Sequence, residues 1–302
     1  MRAAIVSAAI LAGACAAPQT MVPDTAPVAA RTIPEIMAAI PDSDWVDLDP
    51  ENTIYLELPS GRVVIELAPA YAPNHVANIK ALAREGFFDA AAVVRVQENY
   101  VAQWGRPEEA PAHAFRAARA SLPAEFDRPI TEDLPFVRLP DRDTYADEVG
   151  FSGSFPVARG NGRTWLAHCY GMVGAGRDVS PDSGGGGELY VTIGNAPRNL
   201  DLNVTLVGRV VAGIEHLTTL RRGTGDLGFY VTPEERTPIR TMRVAADVPP
   251  AERTRLQALR TDSASFAELV EARRNRRDDW YVHPAGAIGL CNTPLPVRAA
   301  PG

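Results

Sequence analysis

Residues 93–105 read VVRVQENYVAQWG. Alternating apolar residues make residues 91–96 a strand, and one arginine stands in the middle of it. A guanidinium is always charged and is costly to bury without partners. Arg95 therefore either points to solvent or is held over a site where a fixed donor is wanted. Strict alternation places it on the face of Val93, opposite Val94 and Val96.

Working outward, residues 53–58 alternate Ile54, Leu56 and Leu58, then Pro59-Ser60-Gly61 supplies turn chemistry and residues 62–67 form a second apolar strand, a hairpin. APNHVANIKALAREGFF (72–88) follows. Pro73 suits a first helical turn, Val76, Ile79 and Ala83 share a face, and Gly86 suits the stop. Further strands are expected at 189–193, 205–211 and 241–246, with a short helix at 214–220. Residues 106–165, rich in Pro, Arg and Asp, read as extended loops with short elements, among them a helix at about 113–120. SGGGG at 183–187 reads as a flexible turn. Many strands with two short helices favour a closed β barrel capped by helices. A C-terminal extension carries one more helix, where Ser265 to Glu268 fits a capping box and Arg273, Arg274, Arg276 and Arg277 suit the helix end.

The chain has 302 residues, 46% of them hydrophobic, enough for a substantial core. The net charge of -7 argues against nucleic acid as partner. The expected organisation is a signal peptide at 1–14, a lipid-anchor or tether segment at 15–44, a main domain at 45–248 with a long insertion at about 106–165, and the extension at 249–302. Residues 3–11 are the apolar part of the signal, and Cys15 follows Leu11-Ala12-Gly13-Ala14, which resembles a bacterial lipobox with its large apolar residue one place early, so that Cys15 is either a lipidation site or incidental to ordinary cleavage. Export to a periplasm, with a membrane contact through that lipid alone, is the expectation. Cys169 and Cys291 could then pair or remain separate thiols. The histidines are scattered, no metal-ligand spacing occurs, and Gly171 to Gly176 does not open a helix as a phosphate cradle does. Ser152, Ser154, His168 and Asp178 lack the spacing of a nucleophile elbow.

Several stretches together resemble the cyclophilin family of peptidyl-prolyl cis-trans isomerases. Val64-Ile65-Glu66-Leu67, Ala72-Pro73, Val76-Ala77-Asn78 and Gly86-Phe87-Phe88-Asp89 resemble its first hairpin and helix. VVRVQENYVAQWG is similar to F-H-R-V-I-x-x-F-M-x-Q-G-G. HCYGMVGAGR (168–177) resembles the family's small-residue strand, and the stretch from Glu188 to Leu217 resembles its following strands in order. The resemblance implies an eight-stranded antiparallel barrel with two capping helices and, as partner, an extended chain containing an X-Pro bond. It implies that Arg95 is catalytic and that Gln103 holds substrate backbone. Tyr100, Val101, Tyr190 and Leu200 would line a proline pocket, and Val173, Gly174 and Ala175 would lie along the substrate. No cofactor or metal is implied, and nothing demands more than a monomer. Val94, Trp104 and Arg106 depart from the family pattern, which leaves a catalytically weak binding module for proline-containing segments as the alternative.

Overall fold

The computed structural model describes residues 31–276 and 280–301. The expected signal peptide, Cys15, most of the tether and Arg277 lie outside the described residues. The described residues form one compact unit.

The barrel strands are β1 (Thr53–Leu58), β2 (Gly61–Leu67), β3 (Ala92–Val96), β4 (Val101–Gly105), β5 (Met172–Ala175), β6 (Leu189–Thr192), β7 (Leu206–Ala212), β8 (Thr237–Pro238) and β9 (Thr241–Val244). Their order is β8-β3-β4-β6-β5-β7-β2-β1-β9, antiparallel throughout. β8 and β9 are successive parts of one stretch. Between them the Ile239 amide donates to Ala91 O (3.0 Å) and the Arg240 amide to Glu57 O (2.9 Å). That stretch therefore leaves one edge of the sheet and joins the other, which closes an eight-pass barrel. Ile54, Leu56, Ile65, Val93, Trp104 and Val191 fill the interior with the small side chains of Ala102 and Ala175. Two helices cover the ends: α2 (Pro73–Arg84), through Val76, Ile79 and Leu82, and the short α3 (Glu215–Thr218), through Leu217.

The insertion differs from the expected loops. Its strands, Arg128–Pro129, Val137–Arg138, Glu148–Ser152, Phe155–Gly160 and Arg163–Leu166, form a five-stranded antiparallel sheet. Asn161 and Gly162 both take positive φ (52° and 73°) in one of its hairpin turns. This dipeptide is a strong hairpin signal. The helix expected at 113–120 is absent. The backbone there is satisfied by α2 instead: Glu85 accepts from the amides of Ala117 (2.6 Å), Ala118 (3.0 Å) and Arg116 (3.3 Å), and the Arg119 amide donates to Asn78 Oδ1 (2.8 Å). In return the insertion caps α2. Ala72 offers no side-chain cap, and Glu125 accepts from the amides of Asn74 (3.0 Å) and His75 (2.9 Å). The glycine run is not a free turn either, since Gly184, Gly185 and Gly186 are buried and Gly185 O accepts from Asn78 (2.6 Å).

A second core lies outside the barrel wall. There the five-stranded sheet meets α1 (Ile33–Ala38), α4 (Ala264–Arg274) and the barrel residues Met172 and Leu206. Phe151 and Phe266 cross edge to face at 5.1 Å. α4 begins earlier than expected, with Ser263 as its cap accepting from the Phe266 amide (3.1 Å). Trp45–Asp47, Leu256–Leu259 and Val297–Ala299 pair into a small third sheet, so both ends of the described chain meet. Cys169 and Cys291 are joined by a disulfide bond. Among the described residues no helix is long and apolar enough to cross a membrane.

Candidate functional site on the outer barrel face

The pairing of β3 with β4 decides where Arg95 points. Val93 lies opposite Trp104, Arg95 opposite Gln103 and Val96 opposite Ala102, with a register shift between Val93 and Arg95. The extra residue, Val94, makes a β-bulge, the device that re-aims a side chain. Val93 and Val96 both stay in the core. Arg95 thus leaves the face of Val93, contrary to strict alternation, and emerges outside beside Gln103.

Its guanidinium is held on several sides. Nε donates to Leu227 O (2.7 Å), Nη1 to Gln103 Oε1 (3.0 Å) and Nη2 to Gln97 Oε1. The Tyr100 and Phe229 ring centroids lie 5.5 Å and 5.2 Å from its central carbon. Partial burial pulls the Arg95 pKa down, while the Tyr100 and Glu188 side chains oppose that shift. An arginine remains a cation under such conditions. Arginine has five N–H donors. Three bonds are made by Arg95, so among the described residues Nη1 and Nη2 each keep one N–H without a partner.

Gln103 is oriented from its other side. Its Nε2 donates to the Glu188 carboxylate. A carboxylate only accepts, which turns the amide nitrogen toward Glu188 and the amide oxygen toward Arg95.

The other expected residues fall around this pair in different ways. Tyr190 pairs directly with Gln103, and Thr192 with Val101. Val101 and Tyr190 are buried in the wall, while Tyr100 and Leu200 are half-buried. Gly174 faces Tyr190 across β5 and β6. The side chains of Val173 and Ala175 point into the barrel core, and Val173 is paired on both sides, with Val191 and Gly208. The backbone of this segment is therefore engaged in the sheet on both sides, contrary to the expectation that it lies along a substrate, and Gly174 is covered by the Tyr190 ring. A cleft of about 570 Å3 opens beside Glu188, bordered by Arg106, Arg177, Phe229 and Arg236.

Sequence reading missed Gln97, Glu188, the Leu227 carbonyl and Phe229. The alternation that puts Tyr190 outside puts Glu188 there too, a usable signal. Leu227 and Phe229 come from a distant loop, which no local pattern connects to Arg95. Of the departures from the family pattern, Val94 is the bulge residue beside Arg95, and Arg106 borders the cleft. Trp104 is fully buried in the barrel, and Arg106 donates to Phe87 O (2.8 Å) and to Pro111 O, tying down the start of the insertion. Among the described residues no group of three His, Cys, Asp or Glu side chains is placed to hold a metal ion.

Comparison with known proteins gives the family and the fold. Residues 53–244 match the family described as cyclophilin type peptidyl-prolyl cis-trans isomerase/CLD. A probable peptidyl-prolyl cis-trans isomerase of Brucella suis is 31% identical over 197 residues, covering 62% of this chain and 81% of the relative. The human peptidyl-prolyl cis-trans isomerase-like 1 is 28% identical over 179 residues, covering 59% of this chain and 82% of its own length. In fold, the chain is similar to the crystal structure of cyclophilin AquaCyp293 from Hirschia baltica, with a TM-score of 0.65 at 22% identity. That match covers 90% of this chain and 99% of the other, so the shared fold reaches well beyond the barrel.

Proposed function

The chain belongs to the cyclophilin-type peptidyl-prolyl cis-trans isomerase family, and from that premise we propose that it interconverts cis and trans X-Pro bonds in extended polypeptides, with Arg95 as the catalytic donor. The observation that carries the reading is the bulge that turns Arg95 outward with two N–H groups unspent.

The chemistry asks for little else. Partial double-bond character of the amide gives a barrier of about 18–20 kcal/mol. Rotation removes that resonance and leaves a lone pair on a pyramidal nitrogen. A fixed donor aimed at this nitrogen stabilises the twisted amide more than the planar one, which is selective binding of the transition state. Arg95 supplies the donor without a proton transfer. Tyr100 and Phe229 restrain its swing, and Gln103, fixed by Glu188, offers a polar partner for substrate backbone. Tyr100, Val101, Tyr190 and Leu200 supply the apolar surface for the pyrrolidine ring. The assay is protease-free NMR exchange on an X-Pro peptide, parent beside Arg95→Ala. Acceleration lost in the variant supports the reading, and equal rates in both remove Arg95 from the mechanism.

We further propose that the protein works after export as a monomer that assists folding of envelope proteins. The disulfide suits an oxidising compartment, and residues 1–14 have the composition of a secretory signal. The mass of the mature N-terminus tests both cleavage and a lipid on Cys15.

A further inference from the structure

His168 is fully buried and spends every polar atom of its side chain. It lies just after the insertion strand Arg163–Leu166 and next to the disulfide-bonded Cys169. Its backbone amide donates to Asp201 Oδ1 (2.9 Å), and Nδ1 meets the same oxygen at 3.0 Å. Nε2 meets the Tyr190 hydroxyl at 2.9 Å. Behind it, Asp201 Oδ2 accepts from Arg198 Nε (2.6 Å) and Trp165 Nε1 (3.3 Å), and Arg198 in turn grips Asp143 (3.0 Å and 3.1 Å). Burial pushes the Asp201 carboxyl up, but bonds from His168 and the charge of Arg198 outweigh it and hold the group ionised. An ionised carboxylate only accepts, so Nδ1 carries a proton. In the neutral ring Nε2 accepts the Tyr190 O–H, and in the protonated ring it donates to the phenol oxygen. Both states hold that oxygen.

The other end of the tyrosine is fixed by an omission. A Cβ on Gly174 would lie 2.4 Å from both Cζ and Oη of Tyr190. The phenol ring therefore lies across Gly174, along the sheet surface, beside Gln103. Its hydroxyl is directed into the wall toward His168, and the two rings are nearly parallel (11°) with centroids 6.4 Å apart.

We infer that His168 is a positioning residue for the prolyl site: its Nε2 tethers the Tyr190 hydroxyl, pins the ring flat over Gly174, and leaves the ring rather than the hydroxyl for a pyrrolidine to rest on. This rests on reading the outer face as an X-Pro site. A tether of this kind acts on ground state and transition state alike, so it alters binding more than turnover.

The test uses the disulfide-intact chain and one X-Pro peptide, with Kd from NMR titration and turnover from NMR exchange. Gln at 168 can place an amide nitrogen near the position of Nε2, whereas Asn can replace only Nδ1. His168→Gln is expected to keep Kd within about twofold of the parent, and His168→Asn to weaken it roughly five- to tenfold, the worth of one buried hydrogen bond. Turnover at saturation changes less than Kd. In a Tyr190→Phe background the gap between Asn and Gln closes. Equal Kd values for the two variants, or a gap that persists without the hydroxyl, overturn the inference. If both histidine variants fail to fold, Tyr190→Phe alone decides, and a parental Kd in that variant overturns it. A parent that binds the peptide without accelerating exchange sinks the isomerase reading, while the Kd comparison still judges His168. A parent that does neither overturns both.

Discussion

A Cβ placed on Gly174 would stand 2.4 Å from the Tyr190 hydroxyl oxygen, so the phenol ring fills the space that any other residue at 174 would need. Gly174→Ala is expected to cost about 1–3 kcal/mol as an overpacked contact and to weaken peptide binding. Combining it with Tyr190→Leu relieves the crowding but leaves the buried His168 Nε2 without its partner, so binding is not recovered. A melting curve for Gly174→Ala that overlays the parent contradicts this crowding.

Arg95→Ala is expected to lower kcat/KM roughly a hundredfold or more, the usual cost of removing a transition-state donor. The half-exposed side chain leaves the fold intact. Arg95→Lys keeps the charge but loses the planar fork that serves Leu227, Gln103 and Gln97 together, and recovers little. A lysine variant with parental activity shows that charge alone suffices.

Glu188 dictates which way the Gln103 amide faces. Glu188→Gln lets that amide turn over, because glutamine offers both a donor and an acceptor. The expected loss in kcat/KM is about three- to tenfold, without change in melting temperature, since Glu188 is exposed. Unchanged kinetics in this variant mean that Arg95 alone orients Gln103.

Acid should loosen the insertion before it unfolds the barrel. Amides of Ala118, Ala117 and Arg116 hold the Glu85 carboxyl at about 2, below its ordinary 4.5. A depressed carboxylate contributes its stability fully above 4.5 and loses it as pH falls from 4.5 toward 2. Protection factors at residues 116–118, taken against the intrinsic exchange rate at each pH, are expected to fall across that window. Glu85→Gln removes the pH dependence and exchanges quickly throughout. Protection that stays flat from neutral pH to 2 rules out Glu85 as the anchor of this segment.

The disulfide closes a separation of 122 residues between Cys169 and Cys291. Serine at both positions, or reduction, is expected to cost about 2–5 kcal/mol through a less restricted unfolded chain. The transition midpoint in urea reads this directly, and a midpoint shared by oxidised and reduced protein shows that the bond adds nothing to stability.

The barrel was legible because its strands carry their own period. Ile54, Leu56 and Leu58 alternate without interruption, and Pro73 and Gly86 bracket α2 within the limits of an end assignment. Along the sequence the insertion reads as loops, and its Asn161-Gly162 turn is passed over, because its short strands hold Pro129, Pro156 and scattered charges that hide alternation. The absent helix near 113–120 shows the limit of composition, since Glu85 and Asn78 supply from afar the partners that a helix would have supplied locally. At the site, Arg95 and Gln103 could be named, but the bulge that brings Arg95 out is a pairing between strands, invisible along one of them. Leu227 and Phe229 meet Arg95 only through folding, as His168 meets Tyr190.

The continuous stretch through Pro238, Ile239 and Arg240 has a consequence for any protein that handles unfolded chains. An open sheet edge invites an extended polypeptide to add itself as one more strand, which is the route to aggregation. By bonding to both margins, this stretch leaves the barrel no unpaired margin to offer. The five-stranded sheet outside it ends in strands of only two residues, one of them holding Pro129. Under the proposed function, a substrate chain held at Arg95 and Gln103 departs again, because the barrel offers its backbone no strand edge to extend.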